Sequence, residues 1–248
     1  MGRSRVYFVS DVHLGLNLKD PEGREARFVS WLKAIPREET QALYLLGDIW
    51  DFWYEYRDVV PREGARVVAQ LIDLMDNGVK VFFFEGNHDM WSFSYFESLG
   101  MVKLHQPAFV EIGGKTFCLG HGDGLGYTKK SYAFMLKVFH NRTAQALFSL
   151  LHPWLAYRFG LGWSNSNRRT HEPYHFRGAD EPLYKYAESI CAERHVDCFV
   201  FGHYHDSVDL QLPSGARLFV LKDWMDGGAP CLMAETLTSG LRFQVFLP

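Results

Sequence analysis

Five short patches, far apart in the chain, carry side chains of one chemical kind. They read Asp11-Val12-His13, Gly47-Asp48, Gly86-Asn87-His88-Asp89, Gly120-His121-Gly122-Asp123 and Gly202-His203-Tyr204-His205. Each follows an apolar, β-branched or aromatic run that reads as a buried strand: residues 6–9, 42–46, 79–84, 116–119 and 198–201. Strand ends are where an α/β sheet presents its ligands. Carboxylates mixed with imidazoles and one amide oxygen suit Mn²⁺, Fe²⁺ or Zn²⁺, and the lack of thiolate argues against a structural zinc knot. A lone Gly-Asp or Asp-x-His is more often a turn or a helix cap than a ligand. Five such patches in this order, each behind a strand, restrict the chain to folds that gather strand ends in one place.

The order Asp-x-His, Gly-Asp, Gly-Asn-His-Asp, His and Gly-His-x-His resembles the signature of the calcineurin-like metallophosphoesterases, over roughly residues 5–125 and 195–225. Within them the chain looks most like the UDP-2,3-diacylglucosamine diphosphatases of lipid A synthesis. It shares their opening Asp-x-His-Leu, a Gly-Asp-x-aromatic-acid patch (Gly47-Asp48-Ile49-Trp50-Asp51), the His-Gly-Asp patch and a helical insertion in mid-chain. The resemblance implies a four-layer αββα sandwich. It also implies a ligand set in which Asp11, His13 and His205 complete one ion while Asn87, His121 and His203 complete the other. Asp48 is the expected bridge, because one carboxylate can touch two ions about 3.5–4 Å apart. Mn²⁺ is the expected metal, with Fe²⁺ or Zn²⁺ as alternatives.

One position departs from the best-known branch, which has Arg directly after the metal-binding Asn where this chain has His88. His88 is read as a catalytic group that stabilises the phosphoryl oxygens or protonates the leaving group, and Asp89 as its orienting carboxylate. Asp51 and Asp123 stand between steadying a histidine and capping a turn. Substrate contacts are expected from Asn87, His88 and His203. Asn165 and Ser166 match an Asn-Ser that meets substrate in relatives, while Arg168 and Arg169 join them on charge alone.

Periodicity supports the same architecture. Residues 24–34 and 62–75 have helical apolar spacing, ended by Pro36 and by Asn77-Gly78. A Gly113-Gly114 turn joins two hairpin strands, and four further strands follow from residue 208. Two mixed sheets with helices outside satisfy this order. From residue 126 to 177 strand patterning gives way to segments rich in Phe, Leu, Tyr and Trp. That stretch holds eight basic residues against one acidic, Glu172, a net +7 that leaves −10 on the rest of a chain whose total is −3. Such asymmetry points to a surface that meets an anion. The segment is expected to be a helical cap inserted in a core made of residues 1–125 and 178–248, electropositive for a diphosphate and apolar for acyl chains.

The small net charge argues against binding nucleic acid through bulk charge. Cys118, Cys191, Cys198 and Cys231 lack CxxC spacing and read as small hydrophobes in a reducing compartment. No long apolar run suggests a signal peptide or a spanning helix. The expected location is the cytoplasm, with peripheral contact at the inner membrane face. The implied reaction is metal-dependent hydrolysis of the diphosphate of a nucleotide-sugar lipid, UDP-2,3-diacylglucosamine, to UMP and the acylated sugar 1-phosphate. A different metal-dependent phosphodiesterase or phosphatase is the alternative, and a silent scaffold of the same fold is disfavoured because all seven ligand positions are filled.

Overall fold

In the computed structural model, residues 2–126, 129–170 and 174–246 are described, except for the side chains of residues 165–170. In chain order the first elements are β1 (Arg5–Val9), α1 (Pro21–Ala34), β2 (Thr40–Leu46), α2 (Ala65–Asp76), β3 (Lys80–Phe84), α3 (Tyr95–Ser98) and β4 (Val102–Leu104). Next come the hairpin β5 (Ala108–Ile112) and β6 (Lys115–Leu119), then the helices α4 (Lys130–Phe139), α5 (Arg142–Phe148) and α6 (Pro153–Thr170). The chain continues through α7 (Pro182–Glu193), β7 (Cys198–Phe201), β8 (Val208–Gln211), β9 (Arg217–Val220), β10 (Cys231–Leu237) and β11 (Gly240–Phe246).

Two mixed sheets result, in the orders β11-β10-β1-β2-β3-β4 and β5-β6-β7-β9-β8. Alternation along each strand explains how they stack. Val6 and Phe8 of β1 and Ala42, Tyr44 and Leu46 of β2 meet Phe117, Leu119, Val200 and Phe219 of the other sheet in one buried cluster. Tyr7, Val9, Leu43 and Leu45 point the opposite way, into a second cluster with Phe28 and Leu32 of α1 and Val67, Leu71 and Leu74 of α2. Phe199 and Leu218 turn outward onto Leu183 and Ala187 of α7. Helix, sheet, sheet and helix therefore form four layers, as expected. Phe8 shows what ties the middle together: its ring centroid lies 5.3 Å from Tyr44 and 5.9 Å from Phe117. Burying one such ring stabilises the fold by roughly 1.5–3 kcal/mol.

The site follows from strand direction. β1, β2 and β3 run parallel, and so do β6, β7 and β9. Every ligand-bearing patch then emerges at a carboxyl end, and backbone pairing continues past the strands, with His13 N–H donating to Asp48 O and Leu14 N–H to Ile49 O. The strand ends are thereby held together before any side chain is considered.

Candidate metal centre

Backbone conformation marks these loops first. Asp11, His13, Asp48, His203 and His205 all have positive φ, between 51° and 69°. Non-glycine residues avoid this left-handed region, and such strain concentrates at functional sites. Gly202 lets two loops touch: a Cβ there would overlap Ser10 Oγ and crowd Asp11 Oδ2. That closeness lets His203 N–H donate to Asp11 Oδ2 at 2.9 Å, while Ser10 Oγ donates to the same oxygen at 2.6 Å.

Asp11 Oδ2 is thus satisfied, whereas Asp11 Oδ1 is buried and accepts no hydrogen bond among the described residues. It lies 3.6 Å from His13 Nε2 and 3.4 Å from His205 Nε2. Donors that share one ion at about 2.0–2.2 Å are separated by about 3.0–3.5 Å. The spacing fits a common cation better than direct hydrogen bonds. On the other side, Asp48 Oδ2 lies 3.3 Å from His121 Nε2, which is 3.3 Å from Asn87 Oδ1. The His203 ring stands 5.1 Å from that of His121. Asp48 Oδ2 is also 3.9 Å from His13 Nε2, so a single oxygen faces both clusters. Asp48 Oδ1 is engaged elsewhere, accepting His88 N–H at 2.8 Å. All seven residues expected as ligands from the sequence converge, and they are side chains that suit a pair of divalent ions.

Electrostatics point the same way. Burial alone would raise the Asp48 carboxyl, but His121 and His88 hold it well below the usual carboxylate range. Burial disfavours charge on His121, yet Asp48 outweighs it and raises that ring well above its ordinary value. A field that favours a proton there favours a divalent cation too. Desolvation in the half-buried site and the neighbouring His121 lower the His203 ring to about 4, which favours the neutral form that ligates.

Outer partners fix the rings. His121 Nδ1 is 2.8 Å from Leu46 O, which leaves Nε2 for the site. His205 Nδ1 is 3.0 Å from Asp223 Oδ2, and His13 Nδ1 is 3.2 Å from Asp51 Oδ1. Asp51 therefore steadies a histidine rather than capping a turn. Asp223 was not expected from the sequence. It follows β9 in a stretch without a motif, and only the parallel pairing of β9 with β7 brings it to the site.

One expectation is corrected. Asp89 does not reach the His88 ring; its oxygens accept the backbone N–H groups of Gly86, Asp48, Ile49 and Trp50. It clamps the loop that carries Asp48, and burial together with the Asp48 charge raises its carboxyl to about 7. His88 Nδ1 instead lies 2.8 Å from Asp51 O. Asp123 Oδ1 accepts from Gln106 Nε2 at 2.7 Å, and the Asp123 charge acts on His121 and His203 without a hydrogen bond to either among the described residues.

Asn87, His88 and Asp51 open onto a cavity of about 550 Å³. Its far walls come from α4, α5 and α6 and include Met135, Phe139, Phe148, Phe159 and Trp163. In the aromatic run around Asp51, Phe52 lines this cavity while Trp50, Trp53 and Tyr54 are buried. Lys129 lines a separate cavity with Arg177 and Lys185. Asn165, Ser166, Arg168 and Arg169 fall on α6 outside the described side chains.

Comparison with known proteins agrees. Residues 4–207 match the calcineurin-like phosphoesterase family. A UDP-2,3-diacylglucosamine hydrolase from Porphyromonas gingivalis is 37% identical over 241 residues, covering 90% of this chain and 91% of that protein. A protein of the same name from Edwardsiella ictaluri is 30% identical over 202 residues, covering 80% of this chain and 74% of its own. Among solved structures, a dimetal phosphatase from Danio rerio shares the fold with a TM-score of 0.51 at 16% identity, covering 99% of this chain and 96% of that one. The family fold implies a dinuclear site for divalent metal, and the convergent ligands meet that requirement. With its signature gathered in space and most of its length matched, the chain belongs to the calcineurin-like phosphoesterase family.

Proposed function

We propose that the chain hydrolyses the diphosphate of UDP-2,3-diacylglucosamine to UMP and 2,3-diacylglucosamine 1-phosphate. The observation that carries this reading is the continuity between the ligand cluster and the aromatic cavity, which meet at Asn87 with His88 beside it. A diphosphate at the ligands would extend its acylated sugar into an apolar space of the size that holds small ligands. The names of the relatives from Porphyromonas gingivalis and Edwardsiella ictaluri support the same substrate. Residues 126–177 are the cap in this reading, inserted in a core of residues 1–125 and 178–248.

Asp11, His13, Asp48 and His205 would hold one ion and Asp48, Asn87, His121 and His203 the other, with Mn²⁺ suited to so imidazole-rich a set. When bound, the two ions would neutralise phosphoryl charge and lower the pKa of the attacking water. Asn87 is a neutral donor and limits the negative charge that faces the diphosphate. The His88 ring lines the cavity with Nδ1–H donated to the Asp51 carbonyl, and in the doubly protonated ring Nε2–H would donate to a phosphoryl oxygen. The aromatic cavity excludes water from the acylated half. The bond between the phosphorus nearest uridine and the bridging oxygen breaks, and the sugar keeps its phosphate.

Leu147, Leu150, Trp154 and Phe159 of the helical segment are exposed, Leu150 to 80%. No helix among the described residues is long and apolar enough to cross a membrane. Together with the basic excess of this segment, these side chains favour peripheral contact with the cytoplasmic face of the inner membrane, from which the lipid would be drawn.

The reading is tested by mass spectrometry of the products. UMP and the acylated sugar 1-phosphate should appear, chelation should stop the reaction, and Mn²⁺ should restore it better than Mg²⁺. UDP as the product, or full activity after chelation, would overturn the assignment. A second expectation concerns the cavity. Ala144→Trp fills part of it and should exclude two or three methylene groups at about 0.8 kcal/mol each, lowering kcat/KM for the acylated substrate roughly 15- to 60-fold. Bis-p-nitrophenyl phosphate, too short to reach the cavity, should react within about twofold of wild type. Equal losses on both substrates would separate the cavity from lipid recognition.

A further inference from the structure

We propose that docking of α6 is part of the metal centre: Ser164 is a positioning residue that holds Asp51 against His13, so tight binding of the ion at Asp11, His13 and His205 requires the helix in place. The inference rests on the two-ion reading above.

Three contacts form a line from the helix to the ligands. Ser164, 4% exposed, donates its hydroxyl to Asp51 Oδ1 at 2.9 Å. The same oxygen lies 3.2 Å from His13 Nδ1. The opposite nitrogen, His13 Nε2, faces Asp11 Oδ1 and Asp48 Oδ2. A carboxylate behind a ligating histidine fixes the rotation and tautomer of the ring. Here that carboxylate is itself held by a helix that contributes no expected ligand.

The helix is fitted to make this contact. Ala156, Gly160 and Ser164 recur every four residues and therefore share one face. Ala156 is completely buried. A Cβ at Gly160 would overlap the ring of Phe52, the residue after Asp51. Tyr157 adds a hydrogen bond from its hydroxyl to Tyr54 O at 2.7 Å. Small residues bring the helix axis close enough for a side chain as short as serine to reach the carboxylate. The asymmetry between the two ions follows from the contacts: His121 is steadied by the Leu46 carbonyl of β2, which does not involve α6.

The test is equilibrium binding of Mn²⁺ alone to metal-free protein, followed by the loss of the free-ion EPR signal. Wild type should show two binding events, and the one abolished in His205→Ala identifies the ion beside His13. Ser164→Ala should weaken that event about tenfold, the lower end of what outer partners of metal ligands contribute, and leave the other within twofold. Ser164→Thr, which keeps the hydroxyl, should recover most of the affinity. Gly160→Val, which pushes α6 off Phe52 without touching Asp51, should weaken the same event. The inference is overturned if Ser164→Ala changes neither event, if it weakens both alike, or if threonine fails to rescue. Wild type that binds fewer than two ions would instead overturn the two-ion reading itself, so the two failures are told apart.

Discussion

Replacing Asp48 with Ala should deplete both ions from the purified protein and lower turnover by about 10³- to 10⁴-fold. The size follows from the several kcal/mol of transition-state charge stabilisation that bound metal supplies, at 1.36 kcal/mol per decade of rate. The loss at both positions follows from geometry, because Asp48 Oδ2 is 3.3 Å from His121 Nε2 and 3.9 Å from His13 Nε2. A ligand of one ion only would leave the second in place. Metal content after desalting, read beside the rate on bis-p-nitrophenyl phosphate, checks both halves. Asp48→Asn is the folding control, because an amide oxygen can still accept His88 N–H while the bridging charge is gone. Retention of one full equivalent of metal in Asp48→Ala would remove the bridge from the scheme.

The candidate ligands were legible in the sequence for a physical reason. Parallel strands bury both faces, so their residues form unbroken apolar runs, and the polar residue just past each run is presented at the carboxyl edge of the sheet. That rule located Asp11, Asp48, Asn87, His121 and His203. It extends to Asp223 behind β9, but β9 is short and Leu221-Lys222-Asp223 has no signature, so its partnership with His205 depended on knowing which strand lies beside β7. Asp89 shows the limit of sequence adjacency. In an irregular loop neighbouring side chains diverge, and the buried carboxylate went to the unpaired N–H groups of the Asp48 loop, where the need for an acceptor was greatest.

Helices were legible in proportion to their periodicity. α2 carries a regular apolar stripe and was expected within a few residues of its bounds. α6 was not delimited, because Gly160, Gly162 and a run of Ser and Asn lower its intrinsic propensity. Its stability comes from docking, through Ala156, Gly160 and Tyr157, which no local pattern announces. β4, three residues long, is too short for alternation to register.

The remaining large effect belongs to His88, where this chain departs from the branch that carries Arg. His88→Ala should fold, retain two ions and lose turnover by about 10²- to 10⁴-fold, the scale of a positioned acid–base or charge-stabilising group. Metal retention is expected because the Asp48 contact comes from the His88 backbone N–H, which alanine keeps. The ring itself is anchored from behind by the Asp51 carbonyl and lines the cavity that the substrate would enter. Two roles remain to be separated. The leaving group is a sugar 1-phosphate, whose second ionisation lies near pH 6 as for other phosphate monoesters, so it departs readily without a proton. Charge stabilisation is then the larger contribution, and His88→Arg, which supplies a fixed cation but no proton, should recover activity to within about tenfold of wild type. If Arg is as inactive as Ala while metal content stays full, proton donation is the role of His88. If metal is lost in His88→Ala, the ring is a ligand and the division of labour between Asn87 and His88 falls.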